Sequence, residues 1–378
     1  MIVSKVQTTM VRLGDYIEPY ELKNTKNIDL PFFGINKDKT FMPTVANTNG
    51  LDKSKYKIAE KDVFVFSGMQ TGRDVCIRLA LYDKDDSILI SPAYTTFIVK
   101  DKLELLPEYL FIQFNRFQMD RYGWFLSDGS VRSNLDWDVF CNIQIPLPHI
   151  DTQQELVDTY NGLKALVEQN EALIEPLTQA CQAYIVDCKK KYTEVELGEY
   201  IEQTENRNSE LLYGVNDVVG MTITKQIIPT KADVRNTDLS KFLIVKPREF
   251  VYNPRTHGKK IGLGFNNEEK IVMISWNNIS FKVQDAKLDV SIIPEYLYLL
   301  FCREEWDREA CFRSLGSSTE VFSWTEMCGM KIPLPPPEVQ QAIINLYNCA
   351  EEAKKIANEA REKMKTLCPA LVQKAING

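Results

Sequence analysis

Ser67-Gly68-Met69-Gln70-Thr71-Gly72-Arg73, with Arg78 shortly after, and Asn253-Pro254-Arg255-Thr256-His257-Gly258-Lys259-Lys260 are two stretches whose residue types suit recognition chemistry. Arginine grips guanine through two parallel hydrogen bonds, and glutamine or asparagine does the same for adenine. Serine and threonine commonly bind phosphate and fix register, while glycine lets a backbone come close. Gln70, Thr71, Arg73 and Arg78 in the first stretch, and Asn253, Arg255, Thr256, Lys259 and Lys260 in the second, are the residues that could make such contacts. Gly129-Ser130-Val131-Arg132 and Gly316-Ser317-Ser318-Thr319 add Arg132 and Ser317. Thr319 stands where Arg132 would align, which implies different targets or a shifted loop. Lys53, Lys55, Lys57 and Lys61 form a cluster suited to phosphate contacts. A basic loop residue can equally do no more than keep a surface soluble.

Catalytic chemistry has no comparable support. Gly258-Lys259-Lys260 lacks the earlier glycine and the hydroxyl residue of a phosphate-binding loop, and Gly262-Leu263-Gly264 is half a dinucleotide fingerprint, with Asn267 in place of the third glycine. Asn253-Pro254 continues with Arg255, so the paired-proline loop of amino-methyltransferases is absent. Two histidines, His149 and His257, make no nucleophile–base constellation. Nine scattered cysteines without a Cys-x-x-Cys pair fit reduced thiols and no zinc site.

The elements that must position these residues occur twice. Val11–Glu21 recurs as Val195–Glu205 with seven of eleven positions identical, far above chance at average residue frequencies. Pro107-Glu108-Tyr109-Leu110 answers Pro294-Glu295-Tyr296-Leu297, and Trp137 answers Trp324. Ile145-Pro146-Leu147-Pro148 answers Ile332-Pro333-Leu334-Pro335, and Gln153-Gln154 answers Gln340-Gln341, all at an offset of 187. Each half has short β-rich runs, Val63–Phe66 and Thr95–Val99 or Phe250–Tyr252 and Ile279–Val283. A helix then opens on proline. The proline-rich exit must be extended and peripheral. Trp137 and Trp324 are expected as core anchors.

After each exit the period changes to long helix. Leu156, Tyr160, Leu163, Val167, Asn170, Ile174, Leu177, Cys181, Tyr184 and Cys188 step by four and three, a heptad seam. Ala342, Leu346, Cys349, Ala353, Ile356 and Ala360 repeat it, followed by Met364, Leu367 and Leu371. Asp151 or Thr152 is the expected N-cap of the first helix, with Glu155 completing a capping box. Pro176 and Pro369 predict kinks or breaks. A rod of roughly 55 Å is too long for one domain to cover, so the second helix must return along the first. Leu166, Leu173 and Ile343 fall outside the seam and form a docking face or pack back on the domains.

Composition bounds the partners. Forty-five basic against fifty-two acidic residues give a net charge of −7, so DNA contact must come from local clusters or be shared with a more basic partner. No apolar run reaches the roughly 18 residues of a membrane span, and the N-terminus has no signal-peptide pattern; a cytoplasmic chain is expected.

The ordered, duplicated set resembles the specificity (S) subunit of type I restriction–modification systems, the HsdS family, over essentially the whole chain. The likeness rests on Leu-Gly-[Asp/Glu]-Tyr-Ile opening each half, Val251–Gly262, Ile90–Tyr94, Pro-Glu-Tyr-Leu, and Ile-Pro-Leu-Pro leading into a Gln-Gln helix. It implies a mixed α/β fold with two similar target-recognition domains (1–150 and 193–336) and two long antiparallel spacer helices (151–192 and 337–378). It implies a non-catalytic chain that reads bipartite double-stranded DNA and joins two methyltransferase subunits and a restriction subunit. S-adenosylmethionine, ATP and Mg would belong to those partners. The competing expectation is a coiled-coil adaptor that binds proteins alone.

Overall fold

The computed structural model describes all residues except 1–7, 45–46, 49, 70, 130–132, 258–259, 285–290, 317–319 and 378, with the main chain alone at 72–73, 257 and 366–377. It divides into two compact units, Met1–Glu171 with Lys355–Gly378, and Ala172–Lys354.

In the first unit a four-stranded antiparallel sheet is built from β1 (Ile17–Pro19), β2 (Phe64–Ser67), β3 (Arg78–Leu81) and β4 (Thr95–Val99) in the order β1-β4-β2-β3. The helices α1 (Pro107–Phe114), α2 (Phe117–Leu126) and α3 (Trp137–Cys141) follow. The second unit repeats this with β5 (Ile201–Thr204), β6 (Phe250–His257), β7 (Lys260–Phe265) and β8 (Ile279–Val283), ordered β5-β8-β6-β7. The long helix α4 (Ile150–Lys191) precedes that sheet, and α5 (Pro294–Phe301), α6 (Glu304–Arg313), α7 (Trp324–Cys328) and the long α8 (Pro337–Asn377) come after it. Strand order and helix order are therefore duplicated, as the sequence repeat requires.

The same side chains do the same work in each copy. Phe97 lies opposite Phe64 across two strands and the rings stack at 4.7 Å. Phe281 lies opposite Phe250 with the rings stacked at 5.0 Å. Such cross-strand aromatic pairs add about 0.5–1.5 kcal/mol beyond their burial. Proline opens both α1 and α5 at the first turn, where its missing N–H costs nothing. Tyr109 donates to the Pro146 carbonyl at 2.8 Å, and Tyr296 to that of Pro333 at 3.2 Å. The proline-rich exits are extended, as expected. Among the described residues, Gln144–Leu147 pairs only with Thr9–Arg12, and Lys331–Pro333 only with Glu194–Glu196, in two-stranded ladders that tolerate proline. Trp137 and Trp324 pack against the cores as anchors.

Both long helices are continuous, 42 residues in α4 and 41 in α8. Glu171 of α4 pairs with Arg361 of α8, and ten residues further along α4 the Cys181 thiol lies 3.8 Å from the Ile343 carbonyl. No break occurs at Pro176 or Pro369. Pro176 is on the exposed side of α4, where one lost N–H leaves the packed stripe intact. The first helix begins at Ile150, not at a Thr152 cap, because the His149 carbonyl already accepts from Thr152 N at 2.9 Å and Gln153 N at 3.1 Å.

The seam needs correction in places. Leu156 is buried in the core of the first domain, with Tyr160 against it, so the first turns of α4 belong to that core. Leu163, Val167, Ile174 and Leu177 are buried or half-buried. Cys181, Ile185 and Cys188 then enter the core of the second unit, while Tyr184 is exposed. On α8 the stripe is Ile343, Leu346, Ala350, Ala353, Ala357 and Ala360; Ala342 and Cys349 are exposed and Ile356 is half-buried. One set of expected positions was a single residue out, because alanines on both sides of the stripe make the register ambiguous from hydropathy alone. Ile343 is a core residue rather than part of a docking face, whereas Leu166 and Leu173 are exposed.

Candidate nucleic-acid interface

Each unit brings its two candidate segments together. In the first, β2 ends at Ser67 and the chain turns through Gly68 into a single helical turn, Thr71–Asp74. The Gly68 carbonyl accepts from Leu135 N at 2.8 Å, and Thr71 N donates to the Ser133 carbonyl at 3.1 Å. Asp128 N reaches the Asn134 carbonyl at 2.9 Å, closing the loop that carries the second segment. A Cβ at Gly68 would stand 2.2 Å from the Leu135 carbonyl oxygen. Gly68→Ala is therefore expected to lower the stability of the first domain by about 1–3 kcal/mol, read by chemical denaturation. An unchanged midpoint would mean that this close approach does not hold the two loops together.

In the second unit the candidate stretch is no open loop. It is a hairpin in which β6 runs to His257 and β7 starts at Lys260, with a register irregularity between Tyr252 and Thr256. Sequence reasoning missed this because Pro254 argues against a strand; the bulge takes the proline out of the ladder. Asn253 Oδ1 accepts from Arg255 N at 3.0 Å, stabilising the irregular turn. Opposite it, Thr256 N donates to the Glu320 carbonyl at 3.1 Å and Phe322 N to the Pro254 carbonyl at 2.7 Å. Tyr252, fully buried beneath, has its phenol pushed well above the ordinary value by desolvation.

The candidate residues then separate. Arg255 and Lys260 are exposed and have no carboxylate partner among the described residues. Thr71 is 1% exposed, donates to the Ser133 carbonyl at 2.7 Å and lies 2.6 Å from Ser127 Oγ. It shapes the loop and does not present a hydroxyl to a ligand, so its expected contact is corrected. Arg78 is mostly buried and pairs with Asp74. Asn253 and Thr256 are half-buried, and Asn253 is committed to its turn. Gln70, Arg132, Lys259 and Ser317 lie outside the described residues, as does the side chain of Arg73.

The four lysines of the cluster differ in their surroundings. Lys57 is mostly buried and donates to the Tyr94 carbonyl at 2.8 Å. Lys53 pairs with Asp29, Lys55 lies 3.6 Å from Asp52, and Lys61 lies 2.6 Å from Asp85. The Asp85 hydrogen bond holds the Lys61 ammonium above its ordinary pKa. Lys55 and Lys61 remain exposed beside their carboxylates, whereas Lys57 is committed to the fold.

A buried ion pair in each unit escaped the sequence reading. Lys39, at the tip of the hairpin Phe33–Ile35/Phe41–Pro43, donates to Asp120 of α2 at 2.6 Å, and Asp120 also accepts from Ile77 N at 2.9 Å. Lys225, in the hairpin Val219–Met221/Ile227–Pro229, donates to Asp307 of α6 at 2.5 Å, and Asp307 accepts from Ile261 N at 3.1 Å. Both lysines have positive φ, 59° and 66°. Each pair pins a peripheral hairpin to the helix leading into the interface. The signal was available, since Asp120 and Asp307 lie 187 residues apart, the offset of the main repeat.

Comparison with known proteins follows the same lines. A family model described as the type I restriction modification DNA specificity domain matches residues 11–179. No curated protein matches the sequence. The solved structure of a type I restriction-modification system S subunit from M. genitalium is similar at TM-score 0.59 and 13% identity, covering 99% of this chain and 97% of that one. An HsdS subunit from Thermoanaerobacter tengcongensis gives 0.41 at 17% identity, with 98% and 97% covered. A structure titled for complex assembly and conformational transition of the type I R-M system gives 0.39 at 16%, again with 98% and 97% covered. At such identities the likeness is one of fold, and the first structure carries it.

Proposed function

We propose that the chain is a non-catalytic specificity subunit of a type I restriction–modification system, of the HsdS family, whose DNA specificity domain model matches residues 11–179, and that it reads a bipartite, asymmetric duplex target with one domain per half-site. The paired helices α4 and α8 set the gap between the half-sites. The observation that carries this reading is one frame holding two different recognition surfaces. Strand order, aromatic pairs and buried tyrosines are duplicated, yet a helical turn occupies the position in one domain that a bulged hairpin occupies in the other. A reader of two unlike half-sites needs a constant frame and divergent loops.

DNA and methyltransferase partners are those of the family. The finer assignment is two methyltransferase subunits and a restriction subunit, with S-adenosylmethionine, ATP and Mg held by those partners. Arg255 and Lys260 are the leading contacts in the second domain, being exposed and without a carboxylate partner among the described residues.

Two exchanges test the reading. Replacing residues 1–150 by the same segment of another family member is expected to change one half-site and leave the other. Deleting seven residues from both helices is expected to shorten the gap by about three base pairs, from 1.5 Å per helical residue against 3.4 Å per base pair, without changing the bases read. Methylated-site sequencing reads both. A purified complex that prefers no duplex sequence would favour the protein adaptor instead.

A further inference from the structure

The equivalent helices α2 and α6, FQMDRYGWFL and EEWDREACFR, are identical at only three of ten positions. Asp120 and Asp307 are explained by their buried lysines. The other two identities are Arg121 with Arg308 and Phe125 with Phe312. In each helix the arginine precedes the phenylalanine by four residues, which puts both on one face.

Neither pair belongs to the core of its own domain, and the Phe125 ring meets only that of the exposed Tyr122 among the described rings, at 6.3 Å. Phe125 is 78% exposed and Phe312 87% exposed. Leaving a phenylalanine in water forgoes about 1.5–3 kcal/mol of burial. Arg121 is exposed, and its guanidinium lies 6.0 Å from the Phe117 ring. Arg308 is exposed and has no carboxylate partner among the described residues. Their neighbours have diverged: Phe117, Tyr122 and Trp124 in α2 correspond to Glu304, Glu309 and Cys311 in α6. An exposed Arg–Phe pair kept in both copies while its surroundings change calls for a partner that meets both domains alike.

We propose that Arg121–Phe125 and Arg308–Phe312 are two copies of one docking anchor, each engaging one copy of the methyltransferase subunit through an apolar pocket beside a carboxylate. The proposal rests on the specificity-subunit reading above and adds where the partner is held. Arginine and aromatic side chains supply much of the binding energy at protein interfaces, seated in desolvated pockets. Duplex DNA fits this face less well. The helix carrying Phe312 has four acidic residues and two basic ones, a poor surface for phosphate.

The test uses the full chain purified with its methyltransferase subunit, with stoichiometry read by native mass. The wild type is expected to hold two copies. The double variant Arg121→Ala/Phe125→Ala is expected to hold one, Arg308→Ala/Phe312→Ala also one, and the fourfold variant none, each anchor weakening its site by about thirtyfold or more, the scale of an interface hot spot. Thermal melting controls for folding, and Phe125→Ser and Phe312→Ser alone repeat the test where a double variant melts early. Variants that still hold two copies overturn the anchor; if they also lose DNA affinity, the duplex is the occupant instead. A wild-type chain that assembles with no methyltransferase overturns the underlying reading as well.

Discussion

Replacing Asp307 by alanine is expected to destabilise the second domain by about 3–5 kcal/mol, the usual cost of stranding one member of a buried ion pair. The Lys225 side chain is 3% exposed and that of Asp307 6%. The Lys225 ammonium donates to Asp307 and, at 2.6 Å, to the Ile261 carbonyl. Without the carboxylate, that ammonium and the Ile261 N–H, which donates to Asp307 at 3.1 Å, both lose an acceptor. Removing both charges with Lys225→Met/Asp307→Leu should recover most of the loss, because burying the ion pair is itself costly. Chemical denaturation of the full chain reads the effect in its second-domain transition. A loss below about 1 kcal/mol in the single variant, within the range of a surface pair, would show that Asp307 does not hold the hairpin to α6.

Gln340→Ala is expected to cost about 3 kcal/mol for a related reason, since each buried polar group left without a partner costs about 1–3 kcal/mol. Gln340 is fully buried. Its Oε1 accepts from Ile293 N at 2.8 Å, and its Nε2 donates to the Ser291 and Pro335 carbonyls, both at 2.9 Å. One side chain thus ties the first turn of α8 to the start of α5 and to the proline-rich exit. Gln153 repeats the arrangement in the first unit, accepting from Leu106 N at 2.9 Å and donating to the carbonyls of Glu104 at 2.8 Å and Pro148 at 2.9 Å. Gln153→Ala should therefore cost a similar amount there. Faster hydrogen exchange at the Ile293 or Leu106 amide would accompany the loss; unchanged exchange would contradict it.

These glutamines show what the sequence disclosed and what it withheld. Their recurrence at a fixed offset marked the duplication, but a glutamine on a predicted helix gives no sign that it is wholly buried with three main-chain partners. The sheet strands Thr95–Val99 and Ile279–Val283 and the proline starts of α1 and α5 were legible because local propensity and tertiary need agree there. The seam of α8 was only half legible. Alanine lies on either side of the stripe, so packing rather than hydropathy picks Ala350 and Ala357 over Cys349 and Ile356. At the candidate interface, residue type picked out segments but could not give their state. Thr71 and Lys57 look like ligand groups in a sequence and are structural in the fold, because burial and hydrogen-bond partners are long-range properties. Arg121 and Phe125 went unnoticed for the opposite reason: only exposure separates them from core residues of the same helix.

Mapping every methylated position in DNA from cells that carry the intact system tests most directly whether one polypeptide gauges a duplex at two points. Modified sites are expected to fall within a split motif, two unlike half-sites separated by an invariant number of unspecified bases. An uninterrupted motif, or half-sites whose separation varies from site to site, would contradict the account.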